Sequence, residues 1–421
     1  MSSSSQSWDS ADICDEIRLF LGDDNADSSD RLPQGRYYAG GWFVGDFYNS
    51  NSNPKDLETE LREASPTTIL PEKYVKVANA GYGNYGEVFF CLPKTAIAAA
   101  ADGIKSTPPS MDMDKLWREI CVVKVQRSVE AKFGAKCEVV AMEAIRASES
   151  PMCSRLAEIL DADNSSGDTV DWIATSAIFG PTLCQVSFGW NKVMDYKPIP
   201  EEMVCHVFIQ LCDALRFLHG LEQPIMHCDI HKGNIMLDPF RQDFPGLPNV
   251  VLIDFGNAKM QGNDLFPELE DEAEAVWAKR QDLSDLCDVL WHLATWKRGF
   301  EIQYDWNPRW GNNLIDQEGD GTLSQEVEWN HFHQFLFHAQ RVEGVYMGLE
   351  RIWQKFSPMA FARRAACSAE VFEVIEYVMT SLQTGMSDED ISRAVEIAIA
   401  EGAIVEVDVE VSAKAVANAN S

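Results

Sequence analysis

The chain has 421 residues, 46% hydrophobic and 24% charged, which is ordinary for a globular protein and enough for more than one packed lobe. A net charge of -31 opposes nucleic acid or an anionic membrane as partner, because both are polyanions. Eleven cysteines occur without a single C-x-x-C pair; that argues against a zinc framework or disulfide ladder and for reduced thiols in a cytoplasmic or nuclear setting.

Residues 1–30 are rich in Ser and Asp, have no secretory pattern, and are expected to stay flexible. No apolar run approaches the roughly 18 residues of a transmembrane helix. The stretch KYVKVANAGYGNYGEVFFCL (73–92) reads as two β-runs around a glycine turn. Low complexity and two prolines mark 94–115 as an inserted loop, and 116–128 contains a buried strand. Val139, Met142 and Ile145 share one helical face within 135–145. A turn over 161–168 leads to an apolar strand over 170–180, which Gly180-Pro181 closes. An amphipathic helix follows over 200–220, acidic at its start and stopped by Gly220. After a strand in NVVLIDFG (249–256), the chain is mostly helical from about Leu283 to Gly402. Strands first and helices later predict an α+β plan with a smaller N-terminal lobe.

Polar residues interrupt this pattern at points suited to phosphoryl transfer. Gly81, Gly83 and Gly86, with Tyr82 between the first two and Val88 just beyond, form a G-x-G-x-x-G turn between two strands. Backbone N–H groups of such a turn approach phosphates closely. Because no helix opens after it, a lid over ATP is favoured over the dinucleotide fingerprint. Lys124 lies inside an apolar strand, where its charge requires a partner. Glu138 and Glu143, both on the next helix, are the candidates. HCDIHKGNIML (227–237) contains H-x-D-x-x-x-x-N, made by His227, Asp229 and Asn234. Asp229 suits deprotonation of an acceptor hydroxyl, Asn234 ligation of Mg2+, and Asp254 of LIDFG is a second hard oxygen ligand. Zinc on His227 and His231 is disfavoured, since H-E-x-x-H requires a Glu directly after the first His and a helix beneath.

Taken in order, these elements resemble the protein kinase family over about residues 37–300, and within it most resemble the SR-protein kinases. YYAGGWFVGDFYN (37–49), HCDI and DFGNAK (254–259) are similar to that group's motifs. The resemblance implies a bilobal protein kinase-like domain over 37–385, its N-lobe at about 37–179 and its C-lobe at about 180–385, followed by a C-terminal helix and acidic tail over 386–421. It implies that ATP and Mg2+ are the cofactors and that Asp229 is catalytic. Lys124 would pair with Glu138, and the backbones of Ala177 and Phe179 in AIFGPTL (177–183) would meet adenine behind a small gatekeeper, Ser176. Asp282 would be a buried anchor of the C-lobe. The implied substrate is a protein, basic or Arg-Ser-rich.

Three departures bear on this. His231 stands where the family has a lysine near the γ-phosphate, and Lys232, the next residue, is a candidate substitute. The segment from Asp254 to Phe266-Pro267-Glu268 is short, and the acidic run 267–276 follows. Cys228 replaces the arginine that reads activation-loop phosphorylation, and no Ser or Thr occurs between Asp254 and Asp282; regulation independent of loop phosphorylation is expected. H-x-D-x-H-x-G-N also resembles small-molecule kinases of the aminoglycoside and choline type, and a pseudokinase scaffold is the remaining alternative. Near the end, 316–328 resembles a calcium loop, but Val327 occupies its bidentate position. Ser387 with Asp390 caps a helix over 386–402, and 403–411 alternates like a strand.

Overall fold

Alternation of side chains along five strands builds the smaller lobe of the computed structural model. The model describes residues 35–38, 41–44, 69–82, 86–101, 112–163, 167, 169–194, 199–295, 325–341, 348–382 and 386–400. The N-terminal 1–30, most of the calcium-like loop and the 403–411 stretch lie outside the described residues. A separate hairpin pairs β1 (Gly35–Tyr38) with β2 (Gly41–Val44). The main sheet contains β3 (Tyr74–Tyr82), β4 (Gly86–Pro93), β5 (Cys121–Gln126), β6 (Ile159–Ala162) and β7 (Trp172–Ser176), in the antiparallel order β3-β4-β5-β7-β6. Cys121 and Val123 pack on its outer face with Tyr74, Phe89 and Ala174. Val122 and Lys124, one position out of phase, therefore face inward.

The inserted-loop reading of 94–115 is corrected at both ends. Lys94–Ala101 forms helix α1 and Met113–Arg118 forms helix α2; residues 102–111 lie outside the described set. Alanine is the best helix former, so KTAIAAAA is low in complexity because it is helical. Asp112 caps α2 by accepting the Lys115 N–H at 3.1 Å. Leu116 is fully buried within α2, and the strand read from residue 116 begins only at Cys121. Helix α3 (Val129–Ala147) exceeds its expected span, because Ser128 caps it by accepting the Ala131 N–H.

A short hinge without helix or strand leads to the larger lobe. There Gly180 lies so close to Leu237 that a Cβ would overlap the Leu237 carbonyl, while the Leu237 N–H donates to the Pro181 carbonyl at 2.9 Å. Helix α4 (Leu183–Val193) opens with a capping box made by Thr182 and Gln185. Helix α5 (Glu201–His219) ends at Gly220 and is buried almost all round, as the centre of a lobe requires. Four short strands follow: β8 (Ile225–Met226), β9 (Ile235–Asp238), β10 (Asn249–Leu252) and β11 (Lys259–Met260), paired β8 with β11 and β9 with β10. Helix α6 (Glu272–Thr295) begins well before Leu283, and the remaining helices are α7 (Gln325–Arg341), α8 (Leu349–Ala365), α9 (Ala369–Ser381) and α10 (Asp388–Ala400). Ser387 and Asp390 cap α10 reciprocally. This last helix does not trail away: Ile391, Ala394, Val395 and Ala398 pack against the smaller lobe. The protein has an α+β, two-lobed architecture, a smaller lobe built on the five-stranded sheet and a larger, mainly helical one.

Candidate active site

Val88 of β4 lies opposite Lys124 of β5, so both occupy the sheet's inner face. Gly81 pairs with Val88 across the hairpin. Gly86 is tight against β5, where a Cβ would overlap the Val125 carbonyl oxygen. Gly83 at the tip lies outside the described residues. The Lys124 Nζ is 3.0 Å from Glu138 Oε2 and 2.7 Å from Asp254 Oδ1. Glu143 instead stands exposed, 4.0 Å from Arg146. Burial alone would lower the lysine pKa, but the carboxylates of Asp254 and Glu138 more than offset it and hold it above the usual value. Burial dominates at Glu138 and raises its pKa despite Lys124. At Asp254 burial is outweighed by Lys124, and the pKa is lowered.

The larger lobe supplies the catalytic loop, and α6 holds it. Asp282 is completely buried; it accepts the backbone N–H groups of His227 at 3.0 Å and Cys228 at 2.7 Å, and lies 2.8 Å from His219 Nε2. Those bonds support Cys228 in a left-handed conformation, φ 59°. One turn further on, Asp285 accepts the Ile230 N–H; burial above all raises its carboxyl to about 6. His227 lies beneath the loop, its Nε2 3.0 Å from the Ile253 carbonyl and its ring edge-on to Phe255 at 4.9 Å. Burial lowers its pKa and keeps it neutral. It serves packing, and no group of three or more His, Cys, Asp or Glu fit to hold a metal occurs among the described residues.

Asp229 receives two amide donors. Asn234 Nδ2 donates to its backbone carbonyl at 3.0 Å and to Oδ2 at 3.3 Å, and Asn257 Nδ2 donates to Oδ2 at 3.0 Å. Asn257 escaped the reading of single motifs; its signal was its place three residues after Asp254. Donation through Nδ2 turns the Asn234 carbonyl oxygen away from Asp229. Asp254, also left-handed at φ 62°, spends Oδ1 on Lys124 and on the Gly256 N–H. The other Asp254 oxygen and the Asn234 carbonyl are a hard oxygen pair that fits magnesium, which takes few protein ligands and retains water and phosphate oxygens.

His231 and Lys232 part company. His231 Nδ1 accepts the Gly233 N–H at 3.0 Å, so the neutral ring carries its proton on Nε2, which is 3.7 Å from Asp229 Oδ1. Lys232, expected as a substitute, does not join the site. Its ammonium group is buried in the larger lobe, where burial lowers its pKa and the nearest influences are Cys184 and Asp288. Ala177 and Phe179 follow β7 outside any helix or strand, and their N–H and C=O groups make no backbone hydrogen bond among the described residues. After Asp254 the chain reaches α6 through β11 and one short turn, Pro267–Glu270, with Phe266 buried.

No family model matches the chain. Among curated proteins, the receptor-interacting serine/threonine-protein kinase 4 of Homo sapiens is 25% identical over 126 residues, 26% of this chain and 14% of that protein. The serine/threonine-protein kinase Doa of Drosophila melanogaster is 25% identical over 170 residues, 40% of this chain and 17% of that one. The serine/threonine-protein kinase sel-5 of Caenorhabditis elegans is 28% identical over 71 residues, 17% and 6% of the two chains. The chain thus has distant sequence similarity to serine/threonine protein kinases. It spans less than a fifth of the length of each of these relatives. Among solved structures, the BubR1 kinase domain superposes with a TM-score of 0.47 at 16% identity, over 78% of this chain and 96% of that one.

Proposed function

We propose that the protein is a divergent serine/threonine protein kinase that transfers the γ-phosphate of Mg-ATP to a hydroxyl. The observation that carries this reading is Asp229, its carboxylate held by Asn234 and Asn257 in the cleft that also contains the Lys124, Glu138 and Asp254 triad. Asp229 would orient the acceptor hydroxyl and take its proton. Lys124, kept charged, would hold phosphate oxygens while Glu138 keeps it in place. Asp254 and Asn234 would hold magnesium, which would supply charge neutralisation; positioning and electrostatics are most of what such a transfer requires. The Nε2–H of His231 would give the γ-phosphate an imidazole donor in place of an ammonium. A protein substrate of the basic, Arg-Ser-rich kind is favoured by the SR-protein-kinase-like motifs and by the acidic run after Asp254. A cytoplasmic or nuclear location is consistent with ten described cysteines all being free thiols.

A small-molecule acceptor is the second reading, favoured by His231 and by a segment after Asp254 too short for a broad peptide platform. Labelled ATP separates the two. The protein is incubated with an Arg-Ser peptide, a general basic protein and a panel of hydroxyl-bearing metabolites, with Asp229→Ala as control. Label on peptide or protein, lost in the variant, is expected. Label on metabolites alone sinks the protein-kinase reading, and nucleotide binding without transfer leaves a binding scaffold.

A further inference from the structure

The face of the sheet that carries Lys124 does not end at the nucleotide site. Along β5 the next inward residue is Val122, and its cross-strand partner Phe90 continues the row from Val88. Leu92 and Val75 extend it further. These side chains form one apolar cluster with Ile97 of α1, Leu116 of α2, and Ile391, Ala394, Val395 and Ala398 of α10. Ala80, just before the glycine turn, packs on the same cluster, as do Ala177 and Phe179 of the hinge and Met386 ahead of α10. The chain's last described helix thus shares a continuous core with the wall against which adenine would lie.

One line of contacts reaches the hinge directly. Trp117 donates its indole N–H to Asp388 Oδ1 at 2.7 Å. The edge of the indole meets the Phe179 ring at 5.4 Å, and that ring stacks on Phe90 at 5.8 Å. From the other lobe Phe240 meets Phe179 edge-on at 6.1 Å. The hinge aromatic is held on three sides, one of them anchored by α10.

We propose that α10 is a working part of the nucleotide site: its docking, through Asp388, Trp117 and Phe179, positions the adenine-side wall, so that nucleotide affinity depends on the C-terminal helix. This rests on the nucleotide-binding reading above. Asp388 and Trp117 act as positioning residues, since they reach the site only through Phe179. The consequence is a handle on activity in the last described helix, remote from the short segment after Asp254 that lacks phosphorylatable hydroxyls.

The test uses the full chain and a fluorescent ADP analogue with magnesium. Wild type is titrated first; absence of any binding removes the nucleotide reading itself and is seen before a variant is made. Ile391→Asp places a charge in the cluster and is expected to undock α10, read as faster amide exchange over 388–400, with Kd raised about tenfold or more. Trp117→Ala and Asp388→Ala, milder changes that keep the cluster's aliphatic core, are expected to raise Kd about threefold to tenfold. Asp388→Asn retains an oxygen acceptor for the indole and restores near wild-type affinity. Ile375→Ala in α9 controls for a general loss of stability and leaves Kd unchanged. The proposal is overturned by a Kd within twofold of wild type in Trp117→Ala and Asp388→Ala, or in Ile391→Asp with α10 exchanging freely. An equal loss of affinity in the control overturns it as well.

Discussion

Lys124 shows how one side chain sets the character of its surroundings. Its ammonium is shared between Glu138, nearly buried, and Asp254, partly so. Removing it leaves two carboxylates facing each other with no cation between them. Breaking a buried pair in this way costs about 3–5 kcal/mol. Lys124→Met is therefore expected to lower stability in urea by about 3 kcal/mol and to abolish nucleotide binding. Retained stability would mean that Glu138 takes up a proton at no cost. Asn257 is a subtler case. It bonds Asp229 Oδ2 from the far side of the turn that Asp254 begins, so it orients the base without belonging to the phosphate-binding groups. Asn257→Ala is expected to lower kcat about tenfold, the worth of one hydrogen bond to a charged group, with KM for ATP unchanged. Steady-state kinetics with varied ATP distinguish this from a loss of binding, which would raise KM instead.

Among the elements, the hinge is the most constrained. Gly180 admits no Cβ because the Leu237 carbonyl of β9 occupies that space, and β9 pairs with β10, which leads into Asp254. Gly180→Ala must push the two lobes apart or break the Leu237 to Pro181 bond. A loss of about 1–3 kcal/mol is expected, as for overpacking of a tight site, with weaker nucleotide binding; unchanged thermal unfolding would show that the hinge yields freely. The order of the elements was legible because each polar residue interrupts a clear apolar period: Lys124 in a strand, Asp229 and Asn234 in a loop, Asp282 in a helix. What was not legible depends on tertiary partners or on a single local angle. Two prolines at Pro108 and Pro109 obscured the alanine-rich α1. The apolar face of α10 (Ile391, Ala394, Val395, Ala398) has the spacing of a buried stripe, but nothing in its own sequence names β3 as the surface that covers it. Asn257 meets Asp229 only because Asp254 turns left-handed. Lys232 opens the short turn that His231 caps, and its ammonium is buried near Cys184 and Asp288, a placement that only the tertiary structure decides.

At the scale of the whole molecule, the lobes are joined by charge as well as by chain. Lys124 to Asp254 crosses the cleft, Phe179 is gripped from both sides, and α10, the last described helix, packs on the five-stranded sheet of the smaller lobe. The larger lobe has its own internal brace at His206 of α5, fully buried, with Nε2 2.8 Å from the Pro248 carbonyl just ahead of β10. Burial lowers the His206 pKa to about 3; Arg364 and Arg155 add to that, while the Pro248 bond and Asp243 oppose it. A histidine whose folded pKa lies below its unfolded value of about 6.5 stabilises the fold fully at neutral pH. That contribution shrinks as pH falls from about 6.5 toward 3, because the unfolded chain binds a proton that the folded chain refuses. The slope is about 1.4 kcal/mol per pH unit. The net charge of -31 and the other buried carboxyls also respond to acid, so the decisive quantity is a difference between two proteins. His206→Gln retains an amide donor for Pro248 and removes the titration. Between pH 7 and pH 5, wild type is expected to lose about 2 kcal/mol more stability than this variant, measured by urea denaturation at both values. Parallel losses in the two proteins would mean that His206 accepts a proton in the folded state, and that the joint between α5 and β10 opens to solvent without unfolding the lobe.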